Sequence, residues 1–148
     1  MAKNSISKIS NAFSTGGGGV NFEQQIQAMF LLSLLIDGFC PAMNEQTKKV
    51  HFQAKHLGHD VDDLVVITYR NQSACQIKHS ITATEKDKTF QEVICAAWND
   101  FNKEDFDRDR DRIALVTAQI SNKAQQSLRF LHVEAIGAID AEAFMERI

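Results

Sequence analysis

The chain has 148 residues, of which 44% are hydrophobic and 24% charged, so it is large enough for a single globular domain with its own core. Its formal net charge of −3 excludes a generally basic nucleic-acid-binding protein, and any contact with nucleic acid would require a local patch. The longest apolar run, residues 28–36, is broken by Ser33 and is far shorter than the ~20 residues that span a bilayer, so no membrane segment is predicted.

The start of the chain is polar and ends in a run of glycines at positions 16–19. We interpret residues 1–19 as a flexible leader. Glycine runs also occur in phosphate-binding loops, but such loops need a preceding strand and a following Gly-Lys-Ser/Thr, and both are absent.

A first helix is predicted over residues 21–37. Asn21 is a suitable N-cap, and apolar side chains recur every four residues after it. The second half is apolar on nearly all sides, which predicts that it is buried. Glu23 would lie in the first turn, where its carboxylate either complements the helix dipole or acts as a metal ligand or water-orienting group beside the strands that follow.

Three strands are predicted in the middle of the chain, over residues 48–57, 63–69 and 74–78, with a polar turn at 70–73 between the last two. They are rich in β-branched and aromatic residues or alternate between apolar and polar ones. The short connections predict an antiparallel meander.

The last two predicted strands carry polar side chains that would meet at one end of the pair. Side chains alternate between faces along a strand, so Asp63 lies on one face of its strand, and Gln76 and Lys78 share one face of the next. In a suitable register a carboxylate, an amide and an ammonium group converge, which is a place to hold a divalent metal and a phosphate. The alternative is an ordinary cross-strand ion pair of Asp63 and Lys78.

A second helix is predicted over residues 89–102, after a polar loop at 80–88. Thr89 and Glu92 form a capping-box pattern, and an apolar stripe on one side of the helix predicts that Trp98 lies in the core.

The last part of the chain combines a charged loop, a strand and helices. Strict alternation of Asp and Arg at 107–112 predicts a solvated loop or a self-paired edge, and the apolar run 113–117 predicts a buried strand in parallel pairing. Ser121 can cap a third helix, with four apolar residues facing inward: Ala124, Leu128, Leu131 and Ala135. Asp140 can cap a short last helix, 141–147.

The resulting order is α-β-β-β-α-β-α, an α/β fold with a mixed four-stranded sheet flanked by helices. We assign residues 20–136 to this domain and residues 137–148 to a C-terminal helix or the start of a linker to a further module.

The cysteines, Cys40, Cys75 and Cys95, are far apart and form no Cys-x-x-Cys pair, which argues against a zinc knuckle. They are typical of small apolar residues in a reducing cytosol, so we predict a cytoplasmic protein. Cys75 and Cys95 lie in apolar patterns, which disfavours a thiol enzyme, and no Gly-x-Ser-x-Gly motif indicates a serine hydrolase.

Positive side chains concentrate between residues 48 and 88, a local patch of the kind that nucleic-acid binding requires. They are Lys48, Lys49, Lys55, Arg70, Lys78, Lys86 and Lys88, with His51, His56, His59 and His79 among them. His56 and His59 alone would be a weak metal site, because they flank a turn and have no third ligand.

Taken together, these residues resemble the PD-(D/E)xK nuclease superfamily, in particular Mrr-like restriction endonucleases and the N-terminal double-strand DNA endonuclease domains of bacterial anti-phage defence proteins. The resemblance spans residues 16–118. It rests on Gly18-Gly19-Val20-Asn21-Phe22-Glu23, on Asp63, on Gln76-Ile77-Lys78, on the Phe90 to Phe101 pattern and on Leu115-Val116-Thr117. Two departures stand out: Asp62 replaces the proline before the aspartate, and Gln76 replaces the usual Glu, as it does in the Mrr-like branch.

The resemblance implies a restriction-endonuclease-like core and a metal-dependent endonuclease. Asp63, Gln76, Lys78 and Glu23 would be catalytic, and Mg²⁺ (or Mn²⁺) would be held by Asp63, Gln76, the Ile77 carbonyl, Glu23 and Asp62. Lys55, Lys86 and Lys88 would contact double-stranded DNA, and His79, which points to the face opposite Lys78, would be either a phosphate contact or a structural residue.

The same resemblance implies an effector domain in anti-phage defence, a homo-oligomer, and a C-terminal sensor or nucleotide-triphosphatase module in the full-length chain. The alternatives are a catalytically inactive nucleic-acid-binding or scaffold domain, favoured by Gln76, and an RNA-cleaving enzyme.

Overall fold

The computed structural model describes residues 17–40, 43–84 and 86–147. Its helices are α1 (Gly17–Leu35), α2 (Lys88–Phe101), α3 (Asn122–Gly137) and α4 (Ala141–Met145). Its strands are β1 (Phe39–Cys40), β2 (Glu45–Gln46), β3 (Lys49–Phe52), β4 (Leu64–Ile67), β5 (Gln72–Ser80) and β6 (Arg112–Gln119), and a 3-10 turn covers Ala54–Leu57.

The main sheet has four strands in the order β3-β4-β5-β6. The pairs β3–β4 and β4–β5 are antiparallel, whereas β6 runs parallel to β5. The predicted mixed α/β architecture, with an antiparallel meander followed by one parallel strand, is therefore confirmed. The small antiparallel pair of β1 and β2 was not predicted, because two-residue strands leave no periodic pattern.

The sheet separates two apolar clusters. On one face, Leu64, Val66, Cys75 and Ile77 pack with Phe30 of α1 and its neighbours. On the other face, the cluster contains Ala54, Val61, Val65 and Ala74, against which Ala96 and Ala97 of α2 pack. Each strand therefore buries alternate side chains under a different helix, as the pleat of a strand requires.

Helix α1 begins at Gly17, four residues before the predicted start. Asn21 is consequently inside the helix rather than its N-cap, and Glu23 lies in the second turn. Residues 17–19 belong to α1 and not to a leader, and the rest of the predicted leader, 1–16, lies outside the described residues. A good capping residue favours a helix start but does not prevent the helix from continuing further back when no proline interrupts it.

Other element boundaries also moved. Strand β3 stops at Phe52, because Gln53 adopts a left-handed conformation with φ 51° and turns the chain into the 3-10 turn. Helix α2 is capped by Asp87, whose side chain accepts a hydrogen bond from the Phe90 N–H at 3.2 Å, so the predicted Thr89–Glu92 capping box is wrong. Ser121 and Asp140 cap α3 and α4 as predicted.

Several apolar side chains predicted to be buried are exposed. In α1, Leu35 is 80% exposed; in α2, Trp98 is 65% exposed; and in α3, Leu131 is 38% exposed. Ala124 is the one buried residue within α3, and Cys95 is exposed as well. Periodicity identifies the apolar side of a helix, but not whether a neighbour covers it. None of the helices in the described ranges is both long and apolar enough to cross a membrane.

Candidate functional site

The site is formed where β4 begins and β5 continues past it. The last paired residues of the β4–β5 ladder are Leu64 and Cys75, so one step further the ladder register sets Asp63 across from Gln76. Both side chains lie on the face that α2 covers, together with Lys78. The sequence left the register open, and the predicted turn at 70–73 is wrong in part, because β5 begins at Gln72.

Asp63 is the centre of this arrangement. Its Oδ2 atom accepts hydrogen bonds from the Gln76 side-chain amide, from the Ile77 N–H at 2.8 Å and from the Lys78 ammonium at 3.2 Å. Asp63 and Gln76 are each 8% exposed, whereas the Lys78 side chain is 32% exposed. The carboxylate, the amide and the ammonium group thus meet as predicted.

Burying the Asp63 carboxylate requires such partners. An ionised carboxylate removed from water is costly unless hydrogen bonds and an opposite charge compensate it. Here all three donors fall on Oδ2, and Oδ1 is the oxygen that they do not use. The group is therefore held in one orientation with one oxygen left for a further partner.

The residues around Asp63 fit a hard divalent cation. Within a strand, the N–H and C=O of one residue point towards the same neighbouring strand. Because the Ile77 N–H points to Asp63, the Ile77 carbonyl opens onto the same space beyond the start of β4. Rotation of the Gln76 amide would add a neutral oxygen, and oxygen ligands of this kind suit Mg²⁺. In the part of the chain that the structure describes, no group of three His, Cys, Asp or Glu side chains could hold a metal, so the predicted carboxylates Asp63, Glu23 and Asp62 do not form such a group.

Glu23 approaches the site indirectly. Its Oε1 atom accepts hydrogen bonds from Gln27 at 2.9 Å and from Gln53 at 3.1 Å, and among the described residues it bonds to neither Asp63 nor Lys78. The Gln53 N–H in turn donates to the Asp63 main-chain oxygen at 3.5 Å. Gln53 therefore links α1 to the strand that carries Asp63, and Glu23 is near the site but not part of the hydrogen-bonded triad.

Asp62 contributes mainly through its backbone. Its carbonyl accepts a hydrogen bond from the Ala54 N–H at 2.7 Å, which joins the 3-10 turn to the segment before β4. The side chain is half-buried. Its predicted part in metal binding stays a prediction.

Asp100, near the end of α2, is a positioning residue that sequence reasoning missed. It is 2% exposed and accepts hydrogen bonds from the Asp60 N–H at 2.9 Å, from the Val61 N–H at 2.8 Å and from Lys103. Burial alone would raise the pKa of Asp100, but these bonds outweigh burial and lower it. Burial alone would lower the pKa of Lys103, but the carboxylates of Asp100 and Asp60 outweigh burial and raise it. Together these contacts hold the loop that leads to Asp63.

The predicted DNA-contacting residues lie on several different elements. Lys55 is exposed in the 3-10 turn, and Lys86 and Lys88 are exposed just before and at the start of α2. His79 lies on the opposite face from Lys78, where its ring packs edge-on against Phe22 with centroids 5.7 Å apart. His79 therefore packs against α1, and its predicted contact with DNA stays a prediction.

The alternating Asp-Arg segment before β6 is only partly solvated. Asp111 is 8% exposed and accepts hydrogen bonds from the Gln72 N–H at 3.0 Å, the Gln72 side chain at 3.1 Å and the Asp107 N–H at 3.1 Å. Asp111 therefore ties the start of β5 to the start of β6, at the end of the sheet away from Asp63.

Comparisons of the chain with protein-family models, with curated proteins and with solved structures found no match. The membership of the nuclease superfamily therefore stays a prediction that rests on the residues themselves.

Proposed function

We propose that this chain is a metal-dependent DNA endonuclease with a restriction-endonuclease-like core, acting as the effector domain of an anti-phage defence protein. The observation that carries the proposal is the convergence of Gln76, Ile77 and Lys78 on one oxygen of the buried Asp63 carboxylate. An ordinary surface ion pair would need neither the burial nor the main-chain N–H.

In this reaction Asp63 would hold the cation, with the Ile77 carbonyl and the Gln76 amide oxygen as neutral ligands. Mg²⁺ or Mn²⁺ bound there would supply Lewis-acid stabilisation of the phosphate and acidify the attacking water. Glu23 and Asp62 are the nearby carboxylates that would offset the charge lost by having Gln at position 76. Replacing Glu23 and Asp62 one at a time would separate their contributions.

Lys78 would orient the attacking water or stabilise the charge that develops on the phosphate. Its partial exposure supports this role, because the ammonium group reaches Asp63 at 3.2 Å while a third of its side chain stays accessible to substrate. A fully buried lysine would be confined to the ion pair.

The partners that we propose are double-stranded DNA, further copies of the same chain, and a C-terminal sensor or nucleotide-triphosphatase module. Cutting both strands needs two active sites, which favours an oligomer. Exposed apolar side chains at the end of α1 and on α3 support protein partners, since Leu35 is 80% and Ile136 73% exposed. Lys55, Lys86 and Lys88 are exposed and suited to phosphate contacts.

The second candidate is a domain of the same fold that binds nucleic acid or serves as a scaffold without cleavage. The specific observation in its favour is that Gln76 donates its amide to Asp63, so that the site contains one central carboxylate instead of two. A third candidate, cleavage of RNA, would use the same residues.

The deciding experiment incubates supercoiled plasmid with Mg²⁺ or Mn²⁺ and compares wild type with Lys78→Ala. Lys123→Ala, which removes an exposed lysine from α3, is the matched control. We expect wild type and the control to nick or linearise the plasmid, and Lys78→Ala to be slower by about 100-fold or more.

Equal inactivity of wild type and Lys78→Ala, in an oligomer that binds DNA, would replace the nuclease with the scaffold. Cleavage of labelled RNA but not of plasmid would establish the third candidate.

A further inference from the structure

A cluster of histidines and lysines lies beside the site, on the edge strand β3 and the 3-10 turn. Residues 48–59 contain three lysines and three histidines and no acidic residue, in a chain of formal net charge −3. We define the histidine surface as His51, His56 and His59 with Lys49 and Lys55. His56, Lys49 and Lys55 are exposed, and His51 and His59 are half-buried.

The histidine surface adjoins Asp63. His51 pairs with Val65 across the β3–β4 ladder, and Val65 shares a face with Asp63, so His51 and Asp63 are diagonal neighbours about 7–8 Å apart. The 3-10 turn begins next to Asp62, through the Ala54 N–H, and His56 is held there by a 3.0 Å contact of its Nδ1 atom with the Gln53 carbonyl. A polymer whose phosphate reached Lys78 would therefore run onto this surface.

We propose that the histidine surface binds the phosphate backbone of duplex DNA and makes that binding depend on pH. The inference rests on the proposed function for the identity of the polymer. Lysines on an edge strand can also serve to prevent strand pairing, but that role needs neither the histidines nor the charged turn.

The positive potential within the cluster is visible at His51. Burial, and then the charges of Lys49, His56 and His59, lower the pKa of His51. The positive neighbours disfavour a proton on the His51 ring, and phosphates bound over the same groups would offset this repulsion and favour the protonated ring. Binding would then take up protons, so affinity should rise as the pH falls through the range in which imidazole titrates.

The other charged groups around the histidines do not cancel this effect. Asp60, in the loop after the turn, is paired with Lys103 at 3.3 Å, and Asp100 is enclosed by its own donors. His59 lines a cavity of about 60 Å³ whose other charged side chains are Asp100, Lys103, Asp105 and Arg112. Asp62 also adjoins the turn through its carbonyl, which accepts from the Ala54 N–H at 2.7 Å, and its side chain is half-buried.

The test measures binding of a fluorescent DNA duplex by anisotropy, in EDTA so that cleavage plays no part, at pH 6 and pH 8 over a range of salt. Wild type is compared with the triple variant His51→Gln, His56→Gln, His59→Gln and with the control His132→Gln, an exposed histidine of α3. We expect wild type and the control to bind at least about tenfold more tightly at pH 6 than at pH 8. The slope of log affinity against log salt concentration should also be steeper at pH 6, by about two to three. In the triple variant, the affinity and the salt slope should differ little between pH 6 and pH 8.

The same pH dependence in the triple variant would overturn the proposal, because it would come from His79 or His132. If the triple variant fails to fold, as judged by thermal melting, His56→Gln and His59→Gln are measured singly, and each should reduce the difference in salt slope by about one. If binding depends on the histidines but the plasmid is not cleaved, the histidine surface is supported and the proposed nuclease function is wrong. If the plasmid is cleaved but the triple variant keeps the pH dependence of binding, the nuclease function is supported and the histidine surface is wrong.

Discussion

The Asp100 carboxylate accepts a hydrogen bond from the Val61 N–H at 2.8 Å, two residues before Asp63. A side chain near the end of α2 therefore fixes the main chain that delivers the central residue of the site. Because Asp100 and Asp63 are on different elements, this contact couples the packing of α2 to the geometry of the site.

Asp100→Asn should destabilise the fold and weaken the site. An amide offers one acceptor where the carboxylate serves the N–H groups of both Asp60 and Val61, and Lys103 loses its buried counter-charge. We expect a loss of about 2 kcal/mol in the free energy of unfolding, measured by urea denaturation.

Asp111→Asn is the matched control, because Asp111 is equally enclosed by donors but lies at the other end of β5. Both variants should lose stability, and only Asp100→Asn should also lower the affinity for Mn²⁺. An equal effect of the two variants on metal binding would contradict the positioning role.

The pH dependence of stability should also report on Asp100. Its pKa is lowered in the folded state, so its contribution is present above the unfolded value near 4 and is lost as the pH falls through the lower, folded value. Wild type should therefore lose stability more steeply than Asp100→Asn between about pH 5 and pH 2. Urea midpoints over that range measure the difference, and parallel curves would argue against the assigned shift.

The β4–β5 hairpin was predictable because strand periodicity is local. The alternation in residues 63–78 defines which side chains share a face, so Gln76 and Lys78 were correctly placed together on one face of their strand. The register that sets Asp63 across from Gln76 was left open by the sequence, and it is set by a β5 strand that begins at Gln72, inside the predicted turn. The predicted parallel pairing of β6 is confirmed, but its predicted burial is wrong, because β6 is the edge strand of the sheet and its apolar residues are only half-buried.

Contacts between distant segments were not predictable in this way. The positive φ of Gln53 leaves no signature in a residue type that rarely adopts it, and the partners of Asp100 lie 39 and 40 residues away in sequence. Trp98 shows a related limit, because its place on an apolar stripe predicts burial, yet its ring stacks only against Phe101 of the same helix among the described aromatic contacts and is 65% exposed.

Gln76→Glu should lower the free energy of unfolding in the absence of metal and raise the affinity of the site for metal. The substitution removes a donor to Asp63 and brings two carboxylates together, which should cost about 1–3 kcal/mol in the absence of a cation. A second charged ligand should raise the affinity for Mn²⁺ by about tenfold. Thermal melting with increasing Mn²⁺ measures both effects.

Gln72→Glu provides the control for that experiment. Gln72 also donates to an enclosed aspartate, Asp111, at 3.1 Å, and among the described residues the hydrogen-bond donors to that carboxylate are Gln72 and the Asp107 N–H, with no lysine. The Gln72→Glu variant should have a lower melting temperature than wild type, and Mn²⁺ should not restore it. Rescue of both variants, or of neither, would reject a cation site at Asp63.

Gln53→Gly should change metal binding at the site without lowering the stability of the fold. A non-glycine residue with φ 51° is strained, so glycine relieves up to about 1 kcal/mol, while the substitution removes the 3.1 Å bond to Glu23. We expect an unchanged or slightly higher melting temperature together with weaker Mn²⁺ binding, if Glu23 takes part in the site. Unchanged metal binding in both Gln53→Gly and Glu23→Gln would remove Glu23 from the proposed ligands.

The exposed end of α1 should determine self-association rather than monomer stability. Leu32 and Leu35 are 57% and 80% exposed, so replacing both with Glu should change the free energy of unfolding by no more than about 0.5 kcal/mol each. Light scattering after gel filtration should show an oligomer for wild type and a smaller species for the double variant. Gln25→Glu, which adds a charge at an exposed polar position of the same helix, should leave the oligomer intact. If wild type is a monomer at concentrations where it cuts both DNA strands, the proposed oligomer is wrong.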